Sequence, residues 1–465
     1  MVKFLRNLGV LFFGCVFLVG YSFPASAQQI TLDDLLKRVE AVEKQNADLQ
    51  QQNDALKAQI LSIQQAQAAQ TVQTAPATAA PLAPAAGIPV TSKLKLSVYG
   101  FVQVENVYAT NGATTGGNTA YNNVVEYAAA HVTDGKPQKV DKTSAQNSRL
   151  GINIAGPDVA NGKTSGQVEI DFNNPTASSS AETYQPRLRQ GWAAIDYEKW
   201  GIKAGQTYDF FAPLKTDIIN QSSMWRAGDF GYRHPQVFLT NKWGDVFGAN
   251  GKLTTQIGII DSDDIYQQTS GGPVGGVYTS YATPIAGKDV TIGAGGILGT
   301  ASTSVENSRG KNNNGIDAGV VGAQVKLADW IAFKSQGYMG SHLSNFMSGP
   351  YGQSIVGITD PYNPQYGTSL KTMGGFAEFT IKPLIKLQIN LGAGIDDVTN
   401  QAAVVATAAD KALMWSTNRS YFANVKYKLT ADLTVGVEYQ YLHTNYLDGV
   451  MASDNRIDTC MTYNF

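Results

Sequence analysis

The sequence from about residue 93 to residue 465 predicts an all-β fold, a 16-stranded antiparallel transmembrane β-barrel. Two observations predict it. Apolar and polar residues alternate with a period of two in segment after segment, and the connections between these segments alternate between long and short. A separate heptad pattern predicts a short N-terminal α-helical coiled coil ahead of the barrel.

The alternation gives each predicted strand one apolar and one polar face. In the segment 433–441 every second residue is apolar or aromatic, and the residues between them are Thr, Gly, Glu and Gln. The segments 94–104, 150–154, 168–172 and 385–391 repeat the pattern. Because successive side chains of a strand point to opposite faces, this pattern suits a wall with lipid outside and water inside.

Sixteen candidate strands can be placed along this part of the chain. They are residues 94–108, 146–156, 164–173, 186–197, 200–209, 235–243, 251–260, 276–284, 288–300, 316–327, 330–342, 371–382, 384–396, 415–429, 432–445 and 454–465. Outer-membrane barrels have an even strand number, short periplasmic turns and long outer loops. A soluble β-sandwich also has alternating strands, but its loops need not alternate in length, so the barrel is favoured.

The last predicted strand closes on an aromatic residue. Tyr463 and the terminal Phe465 share its apolar face. A terminal aromatic residue on an alternating strand resembles the signal read by the outer-membrane assembly machinery, which is therefore an expected partner. The alternative is a chance phenylalanine at this position.

The N-terminus predicts export. Lys3 and Arg6 precede the apolar stretch 8–19, and Ala25-Ser26-Ala27 fits a signal-peptidase site, so residues 1–27 read as a signal peptide. A short membrane anchor is the alternative. Localisation in the bacterial outer membrane follows from export together with the barrel.

Residues 28–65 are predicted to form a periplasmic coiled coil. Apolar residues from Leu32 to Ile63 are spaced alternately three and four apart, with Asn46 and Asn53 at a positions. This seam favours self-association over a lone amphipathic helix, and its core residues favour two strands. Residues 66–92, rich in Ala, Pro and Gln, are predicted to be a linker without a core.

Composition excludes several classes of protein. The formal net charge of -2 and the 15% of charged residues argue against nucleic-acid binding. Only Cys460 remains after processing, the four histidines form no metal-spaced pair, and no G-x-S-x-G is present. The sequence therefore predicts no enzyme, no cofactor and no metal site. Asp261, Asp263 and Asp264 are better explained as a solvated loop than as a Ca²⁺ site.

Charged residues are expected on the inner wall. Sixteen strands leave an aqueous channel, whose charges set ion selectivity. By alternation, five charged side chains on three neighbouring strands point inward, namely Arg149, Glu169, Asp171, Arg187 and Arg189. The arginines would favour anions such as carboxylates, which arginine binds bidentately. A ladder of ion pairs that stiffens the wall explains the same residues.

The long connection 209–234 is the predicted constriction loop. It is too aromatic to be merely solvated, and folding into the lumen would bury it. Its charged residues are Lys215, Asp217, Arg226, Asp229 and Arg233. The alternative is an outer loop that packs on a neighbouring subunit or lies over the mouth.

Four segments in the first five strands carry a family resemblance. Residues 148–151, 168–172, 187–192 and 201–207 resemble the DcaP-like trimeric outer-membrane porins and, more distantly, the phosphate-selective and general porins. The resemblance implies a homotrimer of separate pores for passive diffusion of small hydrophilic solutes, favouring organic anions such as dicarboxylates. The basic lysine ladder of phosphate porins is missing here.

The heptad core favours a dimer and the resemblance a trimer. A trimeric barrel would tether its helices at high effective concentration, so we expect the trimer. Further expected partners are outer-membrane lipid and lipopolysaccharide, and peptidoglycan through the coiled coil. The alternative function is a structural or adhesive barrel, tethered to the cell wall by the coiled coil.

Overall fold

The structure is a computed structural model that describes most of the predicted barrel. The described residues are 94–111, 127–128, 139–173, 185–220, 222–247, 250–261, 269–270, 272–302, 313–350, 355–356, 368–401, 411–412 and 414–465. The predicted signal peptide, coiled coil and linker lie outside them.

Sixteen antiparallel strands form the barrel, as predicted. They are β1 Lys95–Ala109, β2 Val140–Ser144 continued by Arg149–Ala155, β3 Lys163–Asp171, β4 Arg187–Asp196, β5 Trp200–Tyr208, β6 Arg233–Gly244, β7 Lys252–Ile260, β8 Thr269–Ser270 continued by Val274–Ile285, β9 Lys288–Ser302, β10 Asn313–Ala328, β11 Ile331–Ser341, β12 Lys371–Leu384, β13 Leu387–Val398, β14 Trp415–Lys428, β15 Leu433–Tyr446 and β16 Met451–Asn464.

Two smaller elements accompany the barrel. A 3-10 turn, Ser344–Phe346, follows β11. The two-residue strands Ile355–Val356 and Thr368–Ser369 pair with each other in the same long connection, outside the barrel sheet. No helix among the described residues is long and apolar enough to cross a bilayer.

The first and last strands close the barrel. β1 pairs with β16 from Phe101 opposite Asn464 to Ala109 opposite Arg456. Gly100 and Phe465 then exchange two backbone hydrogen bonds, each 3.1 Å long. Each backbone group of a closed ladder has a partner, which is what a lipid environment demands of a strand. The C-terminal residue is thus part of the wall.

The two faces of the wall differ in polarity as the alternation predicts. On β15, Val437 and Tyr439 have 54% and 47% of their surface exposed, whereas Glu438 and Gln440 between them are buried. The exposed apolar side chains form the outer face, and the polar side chains face the interior. The largest apolar core also lies inside the barrel, on β6 to β11.

Candidate functional site

An ion-pair network lies on the inner wall at β3 and β4. Arg187 donates two hydrogen bonds to Asp171, from Nε to Oδ1 at 3.0 Å and from Nη2 to Oδ2 at 2.7 Å. Arg189 donates from Nε to Oε1 of Glu169 at 2.9 Å and from Nη1 to Oδ2 of Asp171 at 2.7 Å. Alternation predicted that these four residues share a face, and the structure brings them into contact.

The fifth predicted residue of this group, Arg149 on β2, lies beside the network but is not hydrogen-bonded to its carboxylates. Its guanidinium carbon lies 5.2 Å from the centroid of the Phe101 ring, a cation–π contact. It forms no ion pair within the part of the chain that the structure describes. Its charge is therefore less neutralised than those of Arg187 and Arg189.

A β-bulge shapes this wall. Glu169 of β3 lies opposite Gln190, but the next residue, Ile170, lies opposite Leu188, so Arg189 is an extra residue in β4. A bulge of this kind shifts the alternation of one strand by a residue. As a result Trp192 also faces inward and donates its indole N–H to Gln167 at 2.8 Å. Strict alternation could not predict this.

Two tyrosines and a fourth arginine extend the network toward the outer end. Arg189 donates from Nη2 to the Tyr208 hydroxyl at 2.9 Å, and Arg233 donates from Nη2 to the Tyr232 hydroxyl at 2.9 Å. The Arg233 guanidinium also lies 4.5 Å from the Tyr232 ring centroid and 5.8 Å from that of Trp225. Sequence reasoning missed Tyr208, because its role depends on the pairing of β5 with β6, whereas Tyr232 lies in the predicted constriction loop.

The assignment of Arg233 to the constriction loop was wrong. Arg233 is the first residue of β6 and lies opposite Tyr208 of β5 in the ladder. His234 follows in the same strand, and its Nδ1 lies 2.7 Å from Asp209 Oδ1. The strand was predicted to begin at Pro235, and the pairing of Arg233 and His234 with β5 extends it by two residues.

The inner wall of β2 to β6 carries a positive excess. Four arginines (Arg149, Arg187, Arg189 and Arg233) cluster around the carboxylates of Glu169 and Asp171, so these six groups sum to +2. The Arg187 side chain is 27% exposed, whereas that of Arg189 is 2% exposed. Arg187 is therefore the paired arginine that a solute in the lumen can reach.

The segment between β5 and β6 crosses the barrel interior. The backbone N–H groups of Ile219 and Asn220 donate to the Glu438 carboxylate at 2.6 and 2.9 Å, and that of Asp217 donates to Glu378 at 2.8 Å. Glu378 is on β12 and Glu438 near the middle of β15, across the ring of sixteen strands from β5. We call residues 209–232 the crossing segment.

Asp217 connects the crossing segment to lysines of the opposite wall. Its Oδ2 lies 2.8 Å from Nζ of Lys334, and its carbonyl oxygen accepts from Nζ of Lys426 at 2.8 Å. Partial burial would raise the pKa of Asp217, but the attraction of Lys334 outweighs it and holds the pKa below its ordinary value. The side chain is 45% exposed, so a charged carboxylate faces the lumen beside two cations.

The other charged residues of the crossing segment bind within the protein. Nζ of Lys215 lies 2.9 Å from Asp229 Oδ1 and also donates to the Phe230 carbonyl at 2.6 Å. Asp229 is fully buried, and burial raises its pKa despite Lys215. These two residues hold the segment in shape and do not line a channel.

Arg226 fastens the crossing segment to the connection that follows β11. It adopts a left-handed backbone conformation (φ 59°) and donates from Nη1 to the Gly349 carbonyl at 2.7 Å and from Nη2 to the Ser344 carbonyl at 3.2 Å. Asn418 of β14 donates to the Arg226 carbonyl at 2.7 Å. Arg226 is buried, and its contacts connect the crossing segment to the connection after β11 and to β14.

Aromatic packing holds the crossing segment against β6 to β11. The Phe230 ring stacks on Tyr338 of β11 with centroids 4.4 Å apart, and Phe211 packs edge-on against Phe346 at 5.5 Å. Farther along, a Cβ at Gly228 would lie 2.3 Å from the Gly375 carbonyl oxygen, so only glycine permits this approach. This burial accounts for the aromatic content of the segment.

No group of three or more His, Cys, Asp or Glu side chains in the described ranges is placed to hold a metal ion. Of the three loop aspartates, Asp263 and Asp264 lie outside these ranges, as does His131. His342 is buried at the end of β11, where desolvation lowers its pKa to about 4.

Comparisons with known proteins agree on the fold. No family model matches the sequence, and no curated protein is similar to it in sequence. The structure is similar to the outer membrane channel DcaP of Acinetobacter baumannii, with a TM-score of 0.60 and 19% identity over 80% of this chain and 98% of that chain. It is also similar to the anion-selective porin from Comamonas acidovorans, with a TM-score of 0.50 and 12% identity over 80% of this chain and 100% of that chain. Salmonella typhi OmpF gives a TM-score of 0.50 and 16% identity, with 80% of this chain and 97% of that chain covered.

These identities establish the fold and no more. The predicted resemblance to the DcaP-like porins is confirmed at that level, and the chain has the fold of the outer-membrane porins.

Proposed function

We propose that this protein is a porin of the bacterial outer membrane, a passive diffusion channel for small hydrophilic solutes and not an enzyme. The observation that carries the proposal is a closed sixteen-stranded barrel with a polar inner wall, crossed at mid-strand height by one segment. A barrel of this size without such a segment would be a wide aqueous hole. The crossing segment is the constriction of the channel.

The channel favours organic anions, including dicarboxylates. The support is the excess of arginine over carboxylate around Asp171, with Arg187 exposed to the lumen. Arginine presents a planar fork of donors that matches a carboxylate. On the opposite wall Lys334 is paired with Asp217 at 2.8 Å and with Glu378 at 3.4 Å, so the positive excess lies on the side of Arg187.

The protein is a homotrimer in which each subunit has its own pore. The resemblance of the first five strands to trimeric porins supports it. The coiled coil extends into the periplasm toward peptidoglycan. Phe465 is part of the signal that the outer-membrane assembly machinery reads.

Planar-bilayer conductance tests the function. Purified, folded protein should give steady ohmic steps that appear in groups of three. The structural or adhesive alternative predicts a folded barrel that inserts without conducting, and that result would contradict the porin.

A further inference from the structure

One arginine lies on the outer face of the barrel. Arg419 of β14 is opposite His443 of β15, and the same face of these strands carries Val425 and Val437 with 44% and 54% of their surface exposed. The other six arginines of the described ranges lie on the inner wall or in the crossing segment: Arg149, Arg187, Arg189, Arg226, Arg233 and Arg456. Arg419 thus differs in position from all of them.

A row of aromatic rings lies directly beside Arg419. The Tyr421 and Tyr441 rings stack with centroids 6.4 Å apart, and Tyr441 and His443 stack at 6.3 Å with planes inclined by 18°. The polar edges of two of these rings are already engaged, because the Tyr441 hydroxyl and His443 Nδ1 contact Ser453 Oγ at 3.0 and 2.9 Å.

Arg419 lies near the extracellular border of the apolar belt. The long connections are at the end of β14 where Trp415 lies, so that end is extracellular. Tyr427, at the periplasmic end of the same face, is eight residues away. At about 3.3 Å per residue and a tilt near 40°, Arg419 lies roughly 20 Å higher, in an apolar band about 25 Å tall. Headgroups of the outer leaflet begin at this height.

The charges near Arg419 leave room for an anion. Asp397 of β13 is on the same face, but its Oδ1 accepts a 2.6 Å hydrogen bond from Thr417 and no ion pair with Arg419 forms. Lys371, at the extracellular end of β12, adds a second cation farther out. A guanidinium in a lipid-facing position is unfavourable without a partner, so this site calls for an anion from the membrane.

We propose that Arg419, His443, Tyr421 and Tyr441 form a binding site for a phosphorylated glycolipid headgroup of the outer leaflet. The phosphate binds the Arg419 guanidinium, and a sugar ring packs against the exposed Tyr421 side chain. The site rests on the proposed outer-membrane location, and it is distinct from the channel because it lies on the other face of the wall.

Native mass spectrometry of the detergent-purified protein tests the site, with bis-phosphorylated and dephosphorylated lipid A as probes. The wild type should bind the phosphorylated form about tenfold more tightly, and Arg419→Gln should remove that preference. Arg419→Lys should retain part of it. Lys386→Gln, which removes a cation from a periplasmic turn, should leave it unchanged. Binding by Arg419→Gln within about twofold of wild type would overturn the proposal.

Two further measurements keep the outcomes separate. A photocrosslinker in place of Tyr421 should capture the glycolipid in membranes; capture of a second copy of this chain would assign the patch to a subunit contact and overturn the lipid site. Channel conductance of Arg419→Gln should equal that of wild type. A wild type that binds glycolipid but does not conduct would contradict the porin and leave the site standing.

Discussion

The two sides of the barrel interior are built differently. The wall of β2 to β6 is charged, with arginines paired to Glu169 and Asp171 and one arginine in contact with the lumen. The wall of β6 to β11 carries Lys334 but is otherwise largely apolar, and the aromatic residues of the crossing segment, such as Phe211 and Phe230, cover it. An uncovered apolar wall would face water at a cost of about 25 cal/mol per Å².

This difference separates two tasks. The apolar side holds the crossing segment in place by non-directional packing, while the charged side remains open to solute. Substitutions on the apolar side should therefore change the size of the pore, and substitutions on the charged side should change its selectivity.

Phe230→Ala should have the largest effect. It removes a fully buried ring that stacks on Tyr338, and truncations of this kind cost about 3–5 kcal/mol. The crossing segment should loosen, so single-channel conductance should rise and become noisy while the barrel ladder persists. Phe247→Ala is the matched control, because that ring is 67% exposed outside the core. Unchanged conductance in Phe230→Ala would refute the anchoring role.

Asp171→Asn should raise the anion preference without widening the pore. It removes the carboxylate shared by Arg187 and Arg189, so their charges are less neutralised. A change of ~1 kcal/mol in the local electrostatic energy corresponds to about a fivefold change in the permeability ratio. The reversal potential in a KCl gradient measures it. A shift toward cations would show that this carboxylate does not face the permeation path.

The pairing of Asp217 with Lys334 predicts a response at low pH. Because the pKa of Asp217 is held below its ordinary value, the charged pair persists at and above pH of about 4 and is lost only as the pH falls through the lowered pKa. Conductance should therefore change as the pH falls below about 4. Asp217→Asn should abolish that low-pH change. A low-pH change that persists in Asp217→Asn would contradict the assigned pair.

Cys460 provides the smallest predicted effect. Its sulfur lies 3.0 Å from the Cβ position of Gly436, where Ile219 of the crossing segment also packs, so it points into the barrel. A cationic methanethiosulfonate reagent should lower conductance slightly, by less than the change in Phe230→Ala. Cys460→Ser should not respond. Labelling by a bulky lipid-soluble thiol reagent alone would place the sulfur on the outer face instead.

Much of the wall could be predicted from local pattern. A period of two fixes which side chains share a face, and the outcome for Glu169, Asp171, Arg187 and Arg189 follows from it. The bulge at Arg189 could not be predicted, because a bulge depends on the partner strand.

The residues that the crossing segment contacts could not be predicted from the sequence either. Glu378 and Glu438 anchor the segment from more than a hundred residues away in the chain. Nothing in the composition of residues 209–234 indicates which strands they meet, nor that Arg226 and Lys215 bind protein groups and leave Asp217 to face the lumen. Such roles are set by tertiary packing.

The central claim is that solutes pass along the charged wall of β2 to β6 and that Arg187 selects for anions. The reversal potential of wild-type protein and of Arg187→Gln, in the same KCl gradient, tests it most directly. Lys386→Gln is the control, because that exposed lysine lies in the turn between β12 and β13. Wild type and Lys386→Gln should prefer anions equally. Arg187→Gln should lose most of that preference, and further removal of Arg189 should complete the loss. An anion preference that is absent, or that survives the loss of both arginines, would contradict the account.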